Sequence, residues 1–451
     1  MSRFKGQLRD VILINQMKKI IKKLTPTFIF NFYYYLLALS GAVIYGFPSS
    51  KMVVIGVTGT KGKTSAINYI WACLSAGGIK TGFISTANIK IGEEEVLNKY
   101  HMTMPGRFVI QKLMAKMVKA GCKYCLVEVT SEGIKQKRNV GIVFDTAIFT
   151  NLTPEHLPSH GGSFEKYKEA KSKLFSGLSK KYKKINGVKI DKTIIVNNDS
   201  EYADYFKKYN AEKKISFGIK NSADFQAKDV QEKNEGVVFS LNNKEYNLGI
   251  LGAFNVYNAL PAIIVAKSAG VSDENISTGL SDLHLIPGRM EKINEGQKFL
   301  VLVDYAHEKE SITNVLNTAN HLKKDGSKTI ILLGAEGGGR DKAKRALMGE
   351  LAGKMADYVF VTNVDPYEDD PKQIIEDIAI VAEKAGKIRG QNLFTIEDRR
   401  ESINKALSMA KENDVVLITG KGAEQSMIIG GKSISWDDRA VVREELRKIK
   451  L

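Results

Sequence analysis

Met52-Val-Val-Ile-Gly-Val-Thr-Gly-Thr-Lys-Gly-Lys-Thr-Ser65 runs from an apolar segment into a glycine-rich turn. A buried strand that breaks into such a turn and continues as a helix holds a nucleotide polyphosphate. The glycines let backbone N–H groups approach the phosphates, and the helix turns its positive dipole end toward them. Gly59, Thr60, Lys61, Gly62, Lys63, Thr64 and Ser65 are therefore the expected phosphate cradle. Lys63 neutralises β/γ-phosphate charge and Thr64 holds Mg²⁺. The spacing departs from the usual loop in one place, because Val57 stands five residues before Gly62 where a glycine is common.

Outward from this point the chain alternates. Val53–Val57, Thr81–Ile84, Tyr124–Val129, Thr146–Phe149 and Thr193–Val196 read as short buried strands. Amphipathic stretches such as Phe108–Ala120 lie between several of them. That is the pattern of a mainly parallel α/β sheet of the P-loop ATPase type. Ser216–Leu251 alternates apolar and polar residues and is expected to form an antiparallel annex. Ile286-Pro-Gly-Arg289 marks a boundary. Beyond it, Phe299–Val303, Thr329–Leu333, Tyr358–Thr362 and Val415–Thr419 predict a second, Rossmann-like α/β layer. The expected units are residues 1–50, a short helical segment; 51–286, the nucleotide-binding domain; and 287–451, the C-terminal domain.

A length of 451 residues accommodates two or three domains with full cores. The three cysteines, Cys73, Cys122 and Cys125, are too few for a disulfide framework and fit a reducing cytoplasm. Cys122-Lys-Tyr-Cys125 has redox spacing, but Cys125 opens an apolar run and reads as strand core. The formal net charge of +17 is spread along the chain without an aromatic–basic RNA motif. Nucleic acid is therefore not the expected partner; anionic substrates and a membrane surface are.

The first 50 residues stand apart. Leu13, Met17, Ile20, Ile21 and Leu24 recur at helical spacing opposite Lys18, Lys19, Lys22 and Lys23, a basic amphipathic helix. Pro26–Ser50 then carries no charge. Its length satisfies the roughly 20 residues of a membrane span. Flanking lysines would keep the N-terminus on the cytoplasmic side, however, and so strand the phosphate loop away from ATP. A hairpin bending near Ser40-Gly41, an interfacial helix, or a helical pair packed on the next domain avoids that conflict.

The spelling Thr-Gly-Thr-Lys-Gly-Lys-Thr-Ser, with the blocks below, resembles the Mur ligase family from about Met52 onward. The likeness is greatest to the branch that adds the third residue of the peptidoglycan stem peptide. The resemblance implies an ATP-dependent ligase joining an amino acid to a carboxylate. Residues 1–50 do not resemble that branch's uridine-binding domain. Glu128 ends a strand beside the loop, where a carboxylate suits a metal, and matches the family's Mg²⁺-binding glutamate. The usual Ser-Ser-His after it reads Thr130-Ser131-Glu132.

Asn151-Leu-Thr-Pro-Glu155-His156 resembles the segment whose histidine binds a second Mg²⁺. Lys171 matches the lysine that the family carbamylates, with Lys173 too near to separate by sequence. Asn255 and Asn258, the linker residue Arg289, and Asp304 with His307 match the surfaces that meet ATP. Thr103, Met104 and Pro105 match the stretch at the acceptor's muramoyl end.

The amino-acid pocket departs further from the pattern. Gly337-Gly-Gly-Arg340-Asp341 stands for Gly-Gly-Asp-Arg-Asp, Val364-Asp-Pro-Tyr367 for Asp-Asn-Pro-Arg, and Gly-Lys-Gly-Ala423-Glu424 for Gly-Lys-Gly-His-Glu. Tyr367 supplies no cationic clamp and Glu424 remains as an ammonium partner. The expected amino acid is therefore L-lysine or a similar diamine rather than meso-diaminopimelate, unless Arg340, Lys344 or Arg345 rebuilds the clamp. The expected cofactors are ATP, two Mg²⁺ ions and carbamylated Lys171. The expected acceptor is a small-molecule or lipid-linked anionic peptide, with peripheral membrane contact through residues 1–50. Two alternatives are a folylpolyglutamate-type γ-glutamyl ligase and a membrane-tethered nucleotide-binding protein with degenerate ligase chemistry.

Overall fold

The structure, a computed structural model, describes residues 27–100, 102–155 and 157–449. The basic amphipathic helix expected over Leu13–Leu24 and the metal role expected of His156 lie outside the described residues.

Val53–Thr58 is central to a nine-stranded sheet because it is apolar on both faces. It pairs in parallel with Tyr124–Glu128 on one side and Thr146–Phe149 on the other. Thr193–Asn197, Lys213–Gly218 and Phe225–Gln226 extend the sheet beyond Thr146–Phe149. Thr81–Ile84 extends it the other way and is followed by an antiparallel hairpin, Asn88–Ile91 and Glu94–Leu97. The five expected strands are all present. The antiparallel annex is shorter than expected. Ser216 belongs to a parallel strand of the large sheet, and the separate three-stranded sheet begins only at Lys228. Phe217 and half-buried Ile215 of this strand share one face and pack into a single core, so its apolar–polar alternation does not distinguish it from the antiparallel strands that follow.

The C-terminal sheet has six strands. Its centre is Val415–Thr419, inserted between Leu300–Asp304 and Thr329–Leu333. Tyr358–Val361 and Leu393–Thr395 complete the parallel part, and Glu291–Ile293 adds an antiparallel edge. The carboxyl ends of Val53–Thr58, Tyr124–Glu128, Thr146–Phe149 and Leu300–Asp304 open on one cleft, the edge where ligands of such sheets bind.

Residues 27–44 form one continuous helix, Thr27–Ile44, that runs through Ser40-Gly41 without the hairpin bend. Its Ala38 and Ala42 are buried, and Gly141 passes so close that a Cβ there would sit 2.5 Å from Ala42 Cβ. Only one face packs on the domain. Among the described residues no helix is long and apolar enough to cross a membrane. The turn after this helix is pinned from beneath by a buried ionic cluster. Lys183 Nζ donates to the Ser49 and Met52 carbonyls and pairs with Asp145, whose other oxygen takes Lys192 Nζ at 3.0 Å. Cys73 in a helix, Cys125 in a strand and Cys122 in the turn before that strand are free and buried; burial pushes the Cys125 thiol up to about 12.

Candidate active site

The phosphate loop forms as the sequence predicts. Gly59 and Gly62 hold φ of 151° and 79°, and Gly62 caps the Lys63–Ala76 helix. A side chain at Gly62 would place its Cβ 2.2 Å from Asn258 Oδ1, and one at Gly59 would collide with Thr150. The loop is braced by Asn151, whose Oδ1 accepts from Lys61 N at 2.9 Å and whose carbonyl accepts from Thr60 N. Thr60 Oγ1 lies 3.2 Å from the Tyr167 hydroxyl, and Ser65 is buried at the start of the helix.

Glu128 stands at the end of its strand, where parallel pairing with Val57 puts it beside this loop. Its Oε2 accepts from Thr64 Oγ1 at 2.8 Å and from Thr86 N, and its Oε1 lies 3.9 Å from Lys63 Nζ. Lys63 donates to the Thr60 carbonyl. Burial lowers its pKa, Glu128 and Glu155 oppose that, and Arg289 and Lys61 add to it. Among the described residues no three carboxylate, histidine or cysteine side chains form a metal cage of their own. A magnesium ion beside a nucleotide needs only one or two protein oxygens, the phosphates and waters supplying the rest. Thr64 Oγ1 with the Glu128 carboxylate meets that requirement.

Lys171 lies on the Phe164–Ser176 helix, 2% exposed, with Nζ donating to the Gly59 carbonyl at 2.7 Å. Burial and then Lys63 hold its pKa well below the ordinary lysine value, against Glu155 and Glu128. Lys173, the sequence neighbour, is solvent-exposed. The structure thus separates two lysines that the sequence does not.

The second wall comes from the C-terminal half. Arg289 follows the Gly288 turn; its Nη2 lies 3.5 Å from Thr64 Oγ1 and its guanidinium stacks 4.6 Å over the Tyr305 ring. Lys61 reaches Glu155 at 2.9 Å and Glu310, across the cleft, at 3.3 Å. Asp304 is buried and spends both oxygens on backbone, accepting from Met290 N and Ala306 N at 2.7 Å. It fixes the linker that aims Arg289. His307 Nδ1 is 2.6 Å from the Tyr305 carbonyl. Asn258 donates to Asn255 Oδ1 at 2.9 Å, and both asparagines face the cleft.

Lys63, Thr64, Glu128, Asn255, Asn258, Arg289, Asp304 and His307 line one cleft of about 1280 Å³ between the two sheets, which also takes in Thr103, Arg340, Asp365, Tyr367 and Glu424; Lys171 is not on its wall but lies buried against the Gly59 carbonyl. Two sequence assignments need correction. Met104 and Pro105 are buried in the domain core rather than lining the cleft, because Arg138 draws the Met104 carbonyl inward and Met104 packs against Gly133. Only Thr103, 2.9 Å from Thr86 Oγ1, faces the cavity. Glu424 is no simple ammonium partner. It pairs with buried Lys421 at 2.5 Å and accepts from the Tyr305 hydroxyl at 3.2 Å. Lys421 is held at the same time by Asp365 at 2.7 Å.

Lys344 is tied to Glu308 and Glu336, and Arg345 to Asp377, which leaves Arg340 as the sequence-flagged cation of this block that lines the cavity. Tyr367, at φ 57°, lines the cavity beside Arg340. Burial raises the Glu336 pKa, but Lys344, His307 and Arg340 outweigh it and bring it to about 2.

His160 was not flagged by its sequence context. It lines the cleft from a short 3-10 turn, with Nε2 3.0 Å from Ser131 Oγ. It thereby returns an imidazole to the Ser131-Glu132 corner by a route that no local motif announces. Burial and then Lys135 lower its pKa, favouring the neutral ring.

Residues 57–266 match the Mur ligase middle domain and 288–422 the glutamate ligase domain of Mur ligases. The chain is 36% identical over 417 residues to a UDP-N-acetylmuramoyl-L-alanyl-D-glutamate–2,6-diaminopimelate ligase of Geobacillus kaustophilus, covering 91% of this chain and 82% of that one. It is also 36% identical to a UDP-N-acetylmuramyl-tripeptide synthetase of Roseiflexus sp., covering 92% and 82%. A solved structure of a UDP-N-acetylmuramoyl-L-alanyl-D-glutamate–2,6-diaminopimelate ligase superposes with a TM-score of 0.58 at 29% identity, covering 88% of this chain and 79% of that one. With the phosphate loop, its carboxylate and the linker arginine in place, the chain belongs to the Mur ligase family of ATP-dependent amide-forming ligases.

Proposed function

We propose that the enzyme extends a muramoyl dipeptide, or a related cell-wall precursor, by one diamino acid. The observation that carries this reading is the meeting of two half-sites. Lys63, Thr64 and Glu128 converge on the phosphate loop, and Arg289 arrives from the other half within 3.5 Å of Thr64. Residues 51–286 and 287–451 are taken as the two working domains. ATP phosphorylates the acceptor's terminal carboxylate, the amine attacks the acyl carbon, and phosphate leaves with the bond electrons. Lys63 and Arg289 stabilise the charge on the transferring phosphoryl group. Bound magnesium, two ions in this reading, would supply screening of the converging phosphates and carboxylates. Thr64 and Glu128 would hold the first; His156 and Lys171 are assigned to the second.

Lys171 is read as carbamylated. The buried site favours the neutral amine, which adds to CO₂ and releases a proton, replacing a cation by an oxygen donor. Asn255, Asn258, Asp304 and His307 are assigned to the nucleotide side and Thr103 to the acceptor side. The amino-acid assignment shifts from lysine toward meso-diaminopimelate. Glu424 already holds Lys421 and accepts from the Tyr305 hydroxyl, whereas Arg340, 3.9 Å from Glu336, lines the cavity and offers the distal carboxylate a cationic partner. Relatives named diaminopimelate ligases support the same choice. Residues 27–50 are read as the membrane-facing element. The test is ADP release with amide formation, on a UDP-muramoyl dipeptide, with both amino acids in competition. A higher kcat/KM for meso-diaminopimelate is expected; a higher value for L-lysine would return the pocket to the ammonium reading.

A further inference from the structure

The Thr27–Ile44 helix is apolar around its whole circumference, yet only one face is covered. Phe28, Phe32, Leu36 and Val43 follow one another along the opposite face and are 71%, 63%, 46% and 57% exposed. This is a continuous stripe, unlike the scattered single exposures elsewhere on the surface, and such a stripe marks a contact. Its polar content is low. Ser40 spends its hydroxyl on the Leu37 carbonyl within the helix, and among the outward residues Asn31 and tyrosine hydroxyls supply the other polar atoms. A protein partner normally meets a polar rim with about one hydrogen bond per 100–200 Å²; this face offers little for such a rim.

Charge complements it instead. Residues 1–25 contain seven Lys and Arg against one Asp, and residues 26–50 contain no charge at all. The helix on which the stripe's carrier packs, Arg107–Lys119, presents an exposed row of Lys112, Lys116 and Lys119. Apolar and aromatic residues flanked by lysines suit the headgroup boundary of an anionic bilayer. The helix lies along the domain and no described helix crosses a membrane, so the contact is interfacial.

We infer that this stripe docks the enzyme on an anionic phospholipid surface and presents the acceptor wall of the cleft to membrane-anchored substrate. The second part rests on the reading of Thr103 as the acceptor side. The coupling is built in. Arg107, four residues beyond Thr103, places its guanidinium 3.9 Å over the Tyr34 ring, and a Cβ on Gly41 would lie 3.4 Å from the Arg107 carbonyl. Arg107 therefore ties the lipid-facing helix to the chain that follows the Thr103 segment.

The test uses the full chain and a Phe28→Glu/Phe32→Glu/Leu36→Glu variant with vesicles of phosphatidylcholine, alone or mixed with phosphatidylglycerol. Co-sedimentation of the wild type with the mixed vesicles is expected, weakened at least tenfold in the variant and on phosphatidylcholine alone. With acceptor anchored in the vesicles, turnover should fall at least tenfold in the variant, while turnover on soluble UDP-muramoyl dipeptide stays unchanged. That unchanged turnover also certifies the variant's fold. Equal sedimentation of both proteins, or of neither, overturns the inference. So does a wild-type dimer that the variant dissolves without any vesicle binding. Loss of turnover on the soluble acceptor by the wild type would count against the ligase reading alone.

Discussion

Replacing Lys171 with methionine should make the protein more stable while destroying its activity. The side chain is 2% exposed; its Nζ donates to the Gly59 carbonyl at 2.7 Å and lies 4.5 Å over the Tyr167 ring. No carboxylate among the described residues lies within ion-pair distance of it, although Lys63 adds repulsion. A buried charge without a close counter-ion is costly, but the cost is capped because the amine can shed its proton. Taking a free lysine to its neutral form at pH 7 costs about 4–5 kcal/mol, at 1.36 kcal/mol per pH unit below about 10.4. The hydrogen bond lost in the variant returns about 1 kcal/mol. The net gain for a side chain of similar length is then at most about 3–4 kcal/mol, visible as a rise of several degrees in Tm.

The pH dependence follows from the same shift. The folded-state pKa lies below the unfolded value, so between the two the unfolded chain binds the extra proton, and wild-type stability rises with pH. The variant's advantage is therefore largest at and below the folded pKa and shrinks as pH approaches 10.5. Thermal unfolding of both proteins across this range, in bicarbonate-free buffer, is the assay. A less stable variant, or a gain independent of pH, would refute the reasoning.

Lys63→Ala should lower kcat by at least about a thousandfold, several kcal/mol of transition-state stabilisation, with the fold intact by circular dichroism; near-normal turnover would remove Lys63 from the chemistry. Gly62→Ala forces a Cβ into Asn258 at positive φ, so nucleotide affinity measured by calorimetry should drop at least tenfold. Asp145→Ala strands two buried ammoniums, Lys183 and Lys192, and should cost about 3–5 kcal/mol in denaturant unfolding. Arg340→Ala should raise KM for meso-diaminopimelate far more than for L-lysine; equal effects would deny the clamp.

Local chemistry was the legible part of the sequence. The loop from Gly59 to Ser65 and its flanking strands are dictated by neighbours in the chain, so glycine placement and apolar runs were enough to read them. Glu128 was legible for the same reason, since it ends a strand that must lie beside the loop. What the sequence could not show depended on distant packing. The inward turn of Met104 is caused by Arg138, 34 residues away, and the lysine that Glu424 holds is shared with Asp365, 56 residues from that lysine. His160 reaches Ser131 across 29 residues without a motif. The choice between Lys171 and Lys173 needed burial, because one turn of helix separates a core position from solvent. The hydrophobic pattern of residues 27–44 predicted a helix but could not tell which face stays uncovered.

The account rests on an acyl phosphate formed in the cleft between Lys63 and Arg289. An acceptor with heavy oxygen in its terminal carboxylate tests this directly, by mass analysis of the phosphate released during ligation. The account predicts that one heavy oxygen moves to inorganic phosphate for each amide bond formed, and only when ATP, acceptor and amino acid are all present. Amide formation with unlabelled phosphate would show that the carboxylate is activated by another route and would contradict it.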